Sequence, residues 1–220
     1  MNAKKLIIFD YDGTLSDTSP GIMHCYNTAA GELGLPPHTR REDFVGVIGG
    51  PLEKGFATLW PTLPESEIPS RVLRYRALYA TEGMAQPAPL YKGMRSTLLT
   101  LRENGFLLAV ATLKHERFIH AMLKENDIDS LFDAVCAYTG VETKRDLLQK
   151  AGTLTHVPVK ESLLVGDSAY DGQGALAMQM DFAAVLYGWG FQAEADTQPY
   201  HPVCTLRTPG ELPPLLLAAR

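Results

Sequence analysis

Six short apolar runs constrain the fold of this chain more than any other feature. They lie at 6–9, 107–111, 132–137, 162–165, 182–187 and, more weakly, 203–206. Each is too short for a buried helix and lacks regular polar alternation, so each reads as a strand covered on both faces. Helical patterns stand between most of them, at 96–104, 116–126, 145–151 and 174–180. Strands alternating with helices specify an α/β fold on a parallel sheet.

The alternation is interrupted once. Residues 16–87 follow the first strand and read as purely helical. Ser19 and Pro20 mark a helix cap and first helical position, and the helix runs toward Leu33. Gly34-Leu35-Pro36-Pro37 breaks it, and a Gly-rich stretch at 46–50 separates two further segments. In the last, 65–81, Val72, Leu73, Tyr75, Leu78 and Tyr79 recur on a helical period. Gln86-Pro87-Ala88-Pro89 is a stiff linker back. The expected organisation is an α/β core of 1–15 and 88–220 with an inserted helical cap of 16–87. The connections at 15–18 and 81–90 form its hinge.

Composition narrows the function. With 20 Lys and Arg against 25 Asp and Glu, the net charge is -5. A mildly acidic surface argues against nucleic acid and against a polybasic membrane module. Cys25, Cys136 and Cys204 are far apart and form no CxxC, which argues against a disulfide framework or zinc site and fits a reducing cytoplasm. No stretch approaches the ~18 apolar residues of a membrane span, and 6–9 is too short for a secretory signal.

Four candidate sites stand at the C-terminal ends of predicted strands, where open parallel sheets place their ligands. Asp10-Tyr11-Asp12-Gly13-Thr14 follows the first. Carboxylates at i and i+2 leave an extended chain on one side, so one can serve as nucleophile and the other as acid and base. The alternative is a polar Asp-Gly turn. Gly166-Asp167-Ser168-Ala169-Tyr170-Asp171 follows the fourth. A charge on Asp167 at the end of a buried strand is expensive, and a metal would resolve that cost. Asp171 reads equally as an N-cap. Thr112 ends the second strand, where its hydroxyl and the N–H groups of Leu113 and Lys114 would open a phosphate-binding helix. Lys144 follows Thr143, which with Asp146 makes a capping box. A lysine in a first helical turn opposes the macrodipole, an objection that a nearby anion removes. Alone, Thr112 reads as a simple cap and Lys144 as a solvated lysine.

In this order the four sites resemble the haloacid dehalogenase-like phosphohydrolases from residue 6 to about 180. The resemblance implies a Rossmann-like parallel core with a small helical cap. The segment 10–18, Gly49-Gly50-Pro51-Leu52 and Gly188-Trp189-Gly190 are similar to phosphoglycolate phosphatase and its close relatives. The chain departs from the family at Lys144-Arg145, where Lys-Pro is usual, and at Tyr11, where Phe or Leu is usual. The resemblance implies Asp10 as nucleophile, Asp12 as general acid and base, and Thr112 and Lys144 on the phosphoryl oxygens. It also implies Mg²⁺ held by Asp10, Asp12 through its main-chain carbonyl, and Asp167, with Asp171 in support. The implied substrate is a small phosphorylated metabolite, phosphoglycolate-like in the first instance.

Other readings stay open: a phosphomutase, nucleotidase or pyrophosphatase specificity, and a non-catalytic regulatory module. Related mutases often carry a cap histidine where this chain has Ile22. Asp12 argues against a dehalogenase. His24 and Cys25 read as cap packing, Arg71, Arg74 and Arg76 as a solvated helix face, and Arg40, Arg41 and Lys54 as surface charge. Oligomeric state is not legible.

Overall fold

A computed structural model describes residues 4–219. Its strands are β1 (Leu6–Phe9), β2 (Leu107–His115), β3 (Ala134–Tyr138), β4 (Ser162–Gly166), β5 (Asp181–Val185) and β6 (Cys204–Leu206). They form one parallel sheet in the order β3-β2-β1-β4-β5-β6. The helices are α1 (Ser19–Gly31), α2 (Arg41–Phe44), α3 (Leu52–Leu59), α4 (Ile68–Leu78), α5 (Met94–Glu103), α6 (Glu116–Glu125), α7 (Lys144–Thr155), α8 (Ala169–Met178), α9 (Glu194–Thr197) and α10 (Leu212–Ala218).

The apolar strands follow from burial on two faces. Leu6 and Ile8 join Ala109, Ala111, Leu164 and Phe182 in one cluster, closed by Leu147 and Leu148 of α7 and Ala175 of α8. Ile7 and Phe9 point the other way, to Leu108, Val110, Leu163 and Val185, closed by Leu98 of α5, Ile119 of α6 and Leu216 of α10. Each such large side chain contributes on the order of 1.5–3 kcal/mol. A strand with both faces occupied cannot alternate apolar with polar.

β1 pairs with β2 on one side and β4 on the other. The order of connection reverses there, and this opens a crevice at the carboxyl ends of the strands. Residues 16–87 lie between β1 and the core helix α5 and hold helices α1 to α4. Their apolar face, with Tyr26, Phe44, Phe56, Trp60 and Tyr75, continues the cluster around Phe9, Tyr11 and Leu15. The two crossing segments bond to each other. Tyr91 N–H donates to Leu15 O at 3.1 Å, and Asp17 N–H donates to Pro89 O at 2.9 Å. Among the described residues no helix is long and apolar enough to cross a membrane.

Three of the boundaries that differ from the sequence expectation bear on the site. β2 does not end at Ala111. It runs to His115 through an irregularity after Thr112, held by β3 pairs Thr112 with Ala137 and His115 with Tyr138. No helix opens at Thr112; α6 starts at Glu116, with His115 Nδ1 accepting the Arg117 N–H at 3.3 Å. α8 starts at Ala169 rather than Gly174, so Asp171 is its third residue and Ser168 its cap. α1 starts at Ser19 with Thr18 in the cap position, and the Thr18 hydroxyl makes no capping bond.

Candidate active site

The loop after β1 is a tight turn. The Tyr11 carbonyl accepts N–H bonds from Leu15 at 3.0 Å and Ser16 at 3.1 Å. The turn needs Gly13 at a φ of +83°, in the left-handed region. A Cβ on Gly13 would stand 2.3 Å from Asp167 Oδ2, so the loop and the end of β4 are in direct contact. The Thr14 hydroxyl completes that contact, donating to Asp167 Oδ1 at 3.1 Å.

Asp167 Oδ2 accepts the backbone N–H groups of Trp189 at 2.8 Å and Gly190 at 3.0 Å. Asp171 divides its two oxygens. Oδ2 takes the Ser168 hydroxyl at 2.6 Å in a capping box, while Oδ1 lies 2.7 Å from Lys144 Nζ. The capping role and the site role of Asp171 therefore coexist on one side chain.

The Thr143–Asp146 capping box forms and starts α7 at Lys144. Lys144 Nζ reaches Asp10 Oδ1 at 2.8 Å, the Ala111 carbonyl at 2.8 Å and Asp171 Oδ1 at 2.7 Å. The first two are hydrogen bonds and the third is an ion pair. Burial works against the Lys144 charge, but Asp10 and Asp171 outweigh it and hold its pKa above the usual lysine value.

Asp10, Asp167 and Asp171 place carboxylate oxygens within 4.8 Å of one another, all three buried. Burial pushes Asp10 up to about 7, against the pull of Lys144 and with the repulsion of Asp171. Burial also pushes Asp167 up to about 8, with Asp171 and Asp10 adding to the rise. Asp10 and Asp171 share Lys144 and Asp167 pairs with no cation, so the fully ionised triad has an excess of negative charge. An all-oxygen donor set with unbalanced charge fits a hard divalent cation. Asp12 contributes no carboxylate to this triad.

The Asp12 carboxylate is engaged elsewhere. Its Oδ1 accepts the Thr18 hydroxyl at 2.6 Å and Lys114 Nζ at 2.8 Å. In the sequence only the Lys114 N–H reads as functional, because the apolar run ends at Ala111. With β2 extended, the Lys114 side chain turns inward, and Nζ also stands 4.5 Å over the Tyr79 ring. The Thr112 hydroxyl is buried and accepts the Lys114 N–H at 3.1 Å.

Asp10, Asp12, Thr112, Lys114 and Lys144 face one cavity of about 770 Å³ between the sheet edge and α1 to α4. Ile22 is on its wall. The remaining candidates have partners. His24 pairs with Glu82 at 2.7 Å and Arg40 with Asp43 at 2.7 Å. Arg41 covers the Trp189 ring at 4.1 Å and donates to the Gly188 carbonyl. Arg71 and Arg74 both reach Glu32. Lys54 lies 5.6 Å from the Tyr170 ring, and Arg76 lines the cavity. Cys25, Cys136 and Cys204 are free.

The chain is similar to known proteins over most of its length. A phosphoglycolate phosphatase of Mannheimia succiniciproducens is 30% identical over 90% of this chain and 94% of its own length. A tyrosine-protein kinase PtkA of Mycobacterium tuberculosis is 32% identical over 85% of this chain, which spans only 63% of that longer protein. A solved haloacid dehalogenase-like hydrolase from Streptococcus pneumoniae superposes with a TM-score of 0.88 at 28% identity, covering 99% of each chain. The family model of the haloacid dehalogenase-like hydrolases matches residues 7–185, the whole interval that carries the carboxylate triad, Asp12, Lys114 and Lys144. The chain belongs to the haloacid dehalogenase-like hydrolases.

Proposed function

We propose that this chain is a Mg²⁺-dependent phosphatase of small phosphomonoesters, working through an aspartyl-phosphate on Asp10. The observation that carries the reading is the placement of Asp10, Asp12, Thr112 and Lys144 on one cavity wall, with Asp10 shared with a buried carboxylate triad. The phosphatase name of a relative matched over nearly its full length supports it.

In this reading an Asp10 oxygen attacks phosphorus in line and the bond to the leaving oxygen breaks. Asp12 gives that oxygen its proton. Asp12 then takes a proton from the water that cleaves the aspartyl-phosphate, releasing phosphate and restoring Asp10. Thr112 donates to a phosphoryl oxygen, and Lys144 offsets charge on Asp10 and phosphate. Asp10, Asp167 and the Asp12 carbonyl, with Asp171 in support, would hold Mg²⁺, which when bound would supply positive charge against a substrate dianion. Residues 16–87 act as a cap domain that excludes bulk water and reads the leaving group. The paired crossings at 15–17 and 89–91 are its hinge.

A mutase is disfavoured, since Ile22 on the cavity wall has no proton to exchange. The three free cysteines suit a reducing cytoplasm. The test is phosphate release from a panel of phosphomonoesters with Mg²⁺ and with chelator, beside Asp10→Asn. Turnover that needs Mg²⁺ and disappears in the variant is expected. No release from any ester by folded, Mg²⁺-binding protein would overturn the reading.

A further inference from the structure

We infer that the preferred substrate is a phosphomonoester whose leaving alcohol carries an aromatic ring, a reading that rests on the proposed phosphatase site. The cavity beyond Asp10 and Asp12 has an aromatic wall. Tyr26 meets Tyr75 with ring centroids 4.8 Å apart, Tyr75 stacks on Tyr79 at 5.8 Å, and Tyr79 meets Phe118 edge-on at 5.1 Å. Phe118 meets His115 at 6.2 Å, and His115 meets Tyr138 at 6.3 Å. All six rings line the same cavity. They run without a break from α1 and α4 to the ends of β2 and β3.

Size and chemistry agree. A cavity of about 770 Å³ lies in the range of roughly 300–1,000 Å³ that encloses drug-sized ligands. A two-carbon acid fills only a small part of that volume, and leaves the half-buried lining side chains Leu52, Leu113 and Tyr138 in water that an apolar leaving group would displace. Aromatic pairs favour the offset and edge-on contacts already present along the wall, so a further ring extends the same pattern. The cations nearest the nucleophile are committed: Lys114 to Asp12, Lys144 to Asp10 and Asp171. A carboxylate on the leaving group would be left with the arginines of the lining, Arg76, Arg117 and Arg145.

The test compares benzyl phosphate with phosphoglycolate. Both leave as primary alcohols, so a difference in kcat/KM reads the pocket and not the leaving group. Benzyl phosphate should exceed phosphoglycolate by about tenfold or more, the least that a hydrophobic pocket gains from one well-buried methylene. Phe118→Leu and Tyr75→Leu should narrow that ratio. The inert phosphonates 2-phenylethylphosphonate and 3-phosphonopropionate, titrated with Mg²⁺ by intrinsic fluorescence, should bind in the same order. Equal ratios, or a preference for phosphoglycolate, overturn the aromatic assignment while leaving the phosphatase reading intact. If neither ester turns over, the phosphatase reading fails instead, and the phosphonate titration still decides whether the wall selects a ring.

Discussion

Lys114 Nζ and Asp12 Oδ1 lie 2.8 Å apart, a buried ion pair joining the loop after β1 to the end of β2 across 102 residues. The pair is enclosed. Thr18, at the start of α1, donates to the same oxygen at 2.6 Å, and the Tyr79 ring faces the ammonium at 4.5 Å. Residues from both sides of the cavity thus meet on the carboxylate proposed as acid and base. Burial opposes the Lys114 charge, but Asp12 outweighs it and raises the lysine pKa.

Removing one member of such a pair leaves the other charged and without its partner. Lys114→Met should therefore cost about 3–5 kcal/mol of stability in urea unfolding. Lys114→Met with Asp12→Asn should cost less than the sum of the singles, because the stranded charge is gone. A Lys114→Met loss below about 0.5 kcal/mol, as for an ordinary surface change, would show that the pair carries no weight.

Much of this site was legible in the sequence, and the physical reasons separate what was from what was not. Asp10 and Asp167 stood out because each ends an apolar run too short to be a helix. Lys144 stood out because Thr143 and Asp146 announce a helix start, and that start forms. Lys114 did not, since its role depends on β2 continuing to His115, a choice made by pairing with β3. Ser19 reads as the cap of α1, but Thr18 stands in the cap position and gives its hydroxyl to Asp12. The Trp189 and Gly190 donors on Asp167 are backbone N–H groups, which leave no residue-type signature. Gly172 and Gly174 hid the first turns of α8, because glycine is a poor helix former.

The raised carboxylates predict a pH dependence that the metal reverses. Asp10 is lifted from 3.8 to about 7 and Asp167 from 3.8 to about 8, chiefly by burial. The folded chain holds protons there that the unfolded chain releases. Their contribution is complete below about pH 4 and is lost as pH rises through about 7 to 8. In chelator, Tm should fall from about pH 4 to about pH 8 and level off above that. A cation binds the ionised triad, so the Tm gain from added Mg²⁺ should widen over the same range. A gain that stays flat with pH would mean that these carboxylates are not its site.

Asp10→Asn should separate catalysis from stability. Loss of the nucleophile should cut phosphate release on the order of 10⁴–10⁶-fold, the scale seen when a covalent nucleophile is removed. The same change takes one charge from a crowded triad and leaves Lys144 with Asp171 at 2.7 Å and the Ala111 carbonyl at 2.8 Å. Metal-free Asp10→Asn should therefore melt above the metal-free parent near pH 8. Retained turnover would place the nucleophile elsewhere.

Gly13→Ala tests whether loop and triad are one unit. Two costs are combined at Gly13: a φ of +83° and a new Cβ 2.3 Å from Asp167 Oδ2. Gly46→Ala isolates the first, since Gly46 has a φ of +74° and nothing within 4 Å of its added Cβ. The backbone cost is about 1–2 kcal/mol at either position. Both variants should lose that much in denaturant unfolding. Gly13→Ala should lose more, because Asp167 is held by Trp189, Gly190 and Thr14 and has no room to retreat. Its Mg²⁺-induced gain in Tm should also shrink, while Gly46→Ala keeps the full gain. Equal losses in the two variants, with both Mg²⁺ responses intact, would show that Asp167 can move aside and that the contact at Gly13 does not set the triad.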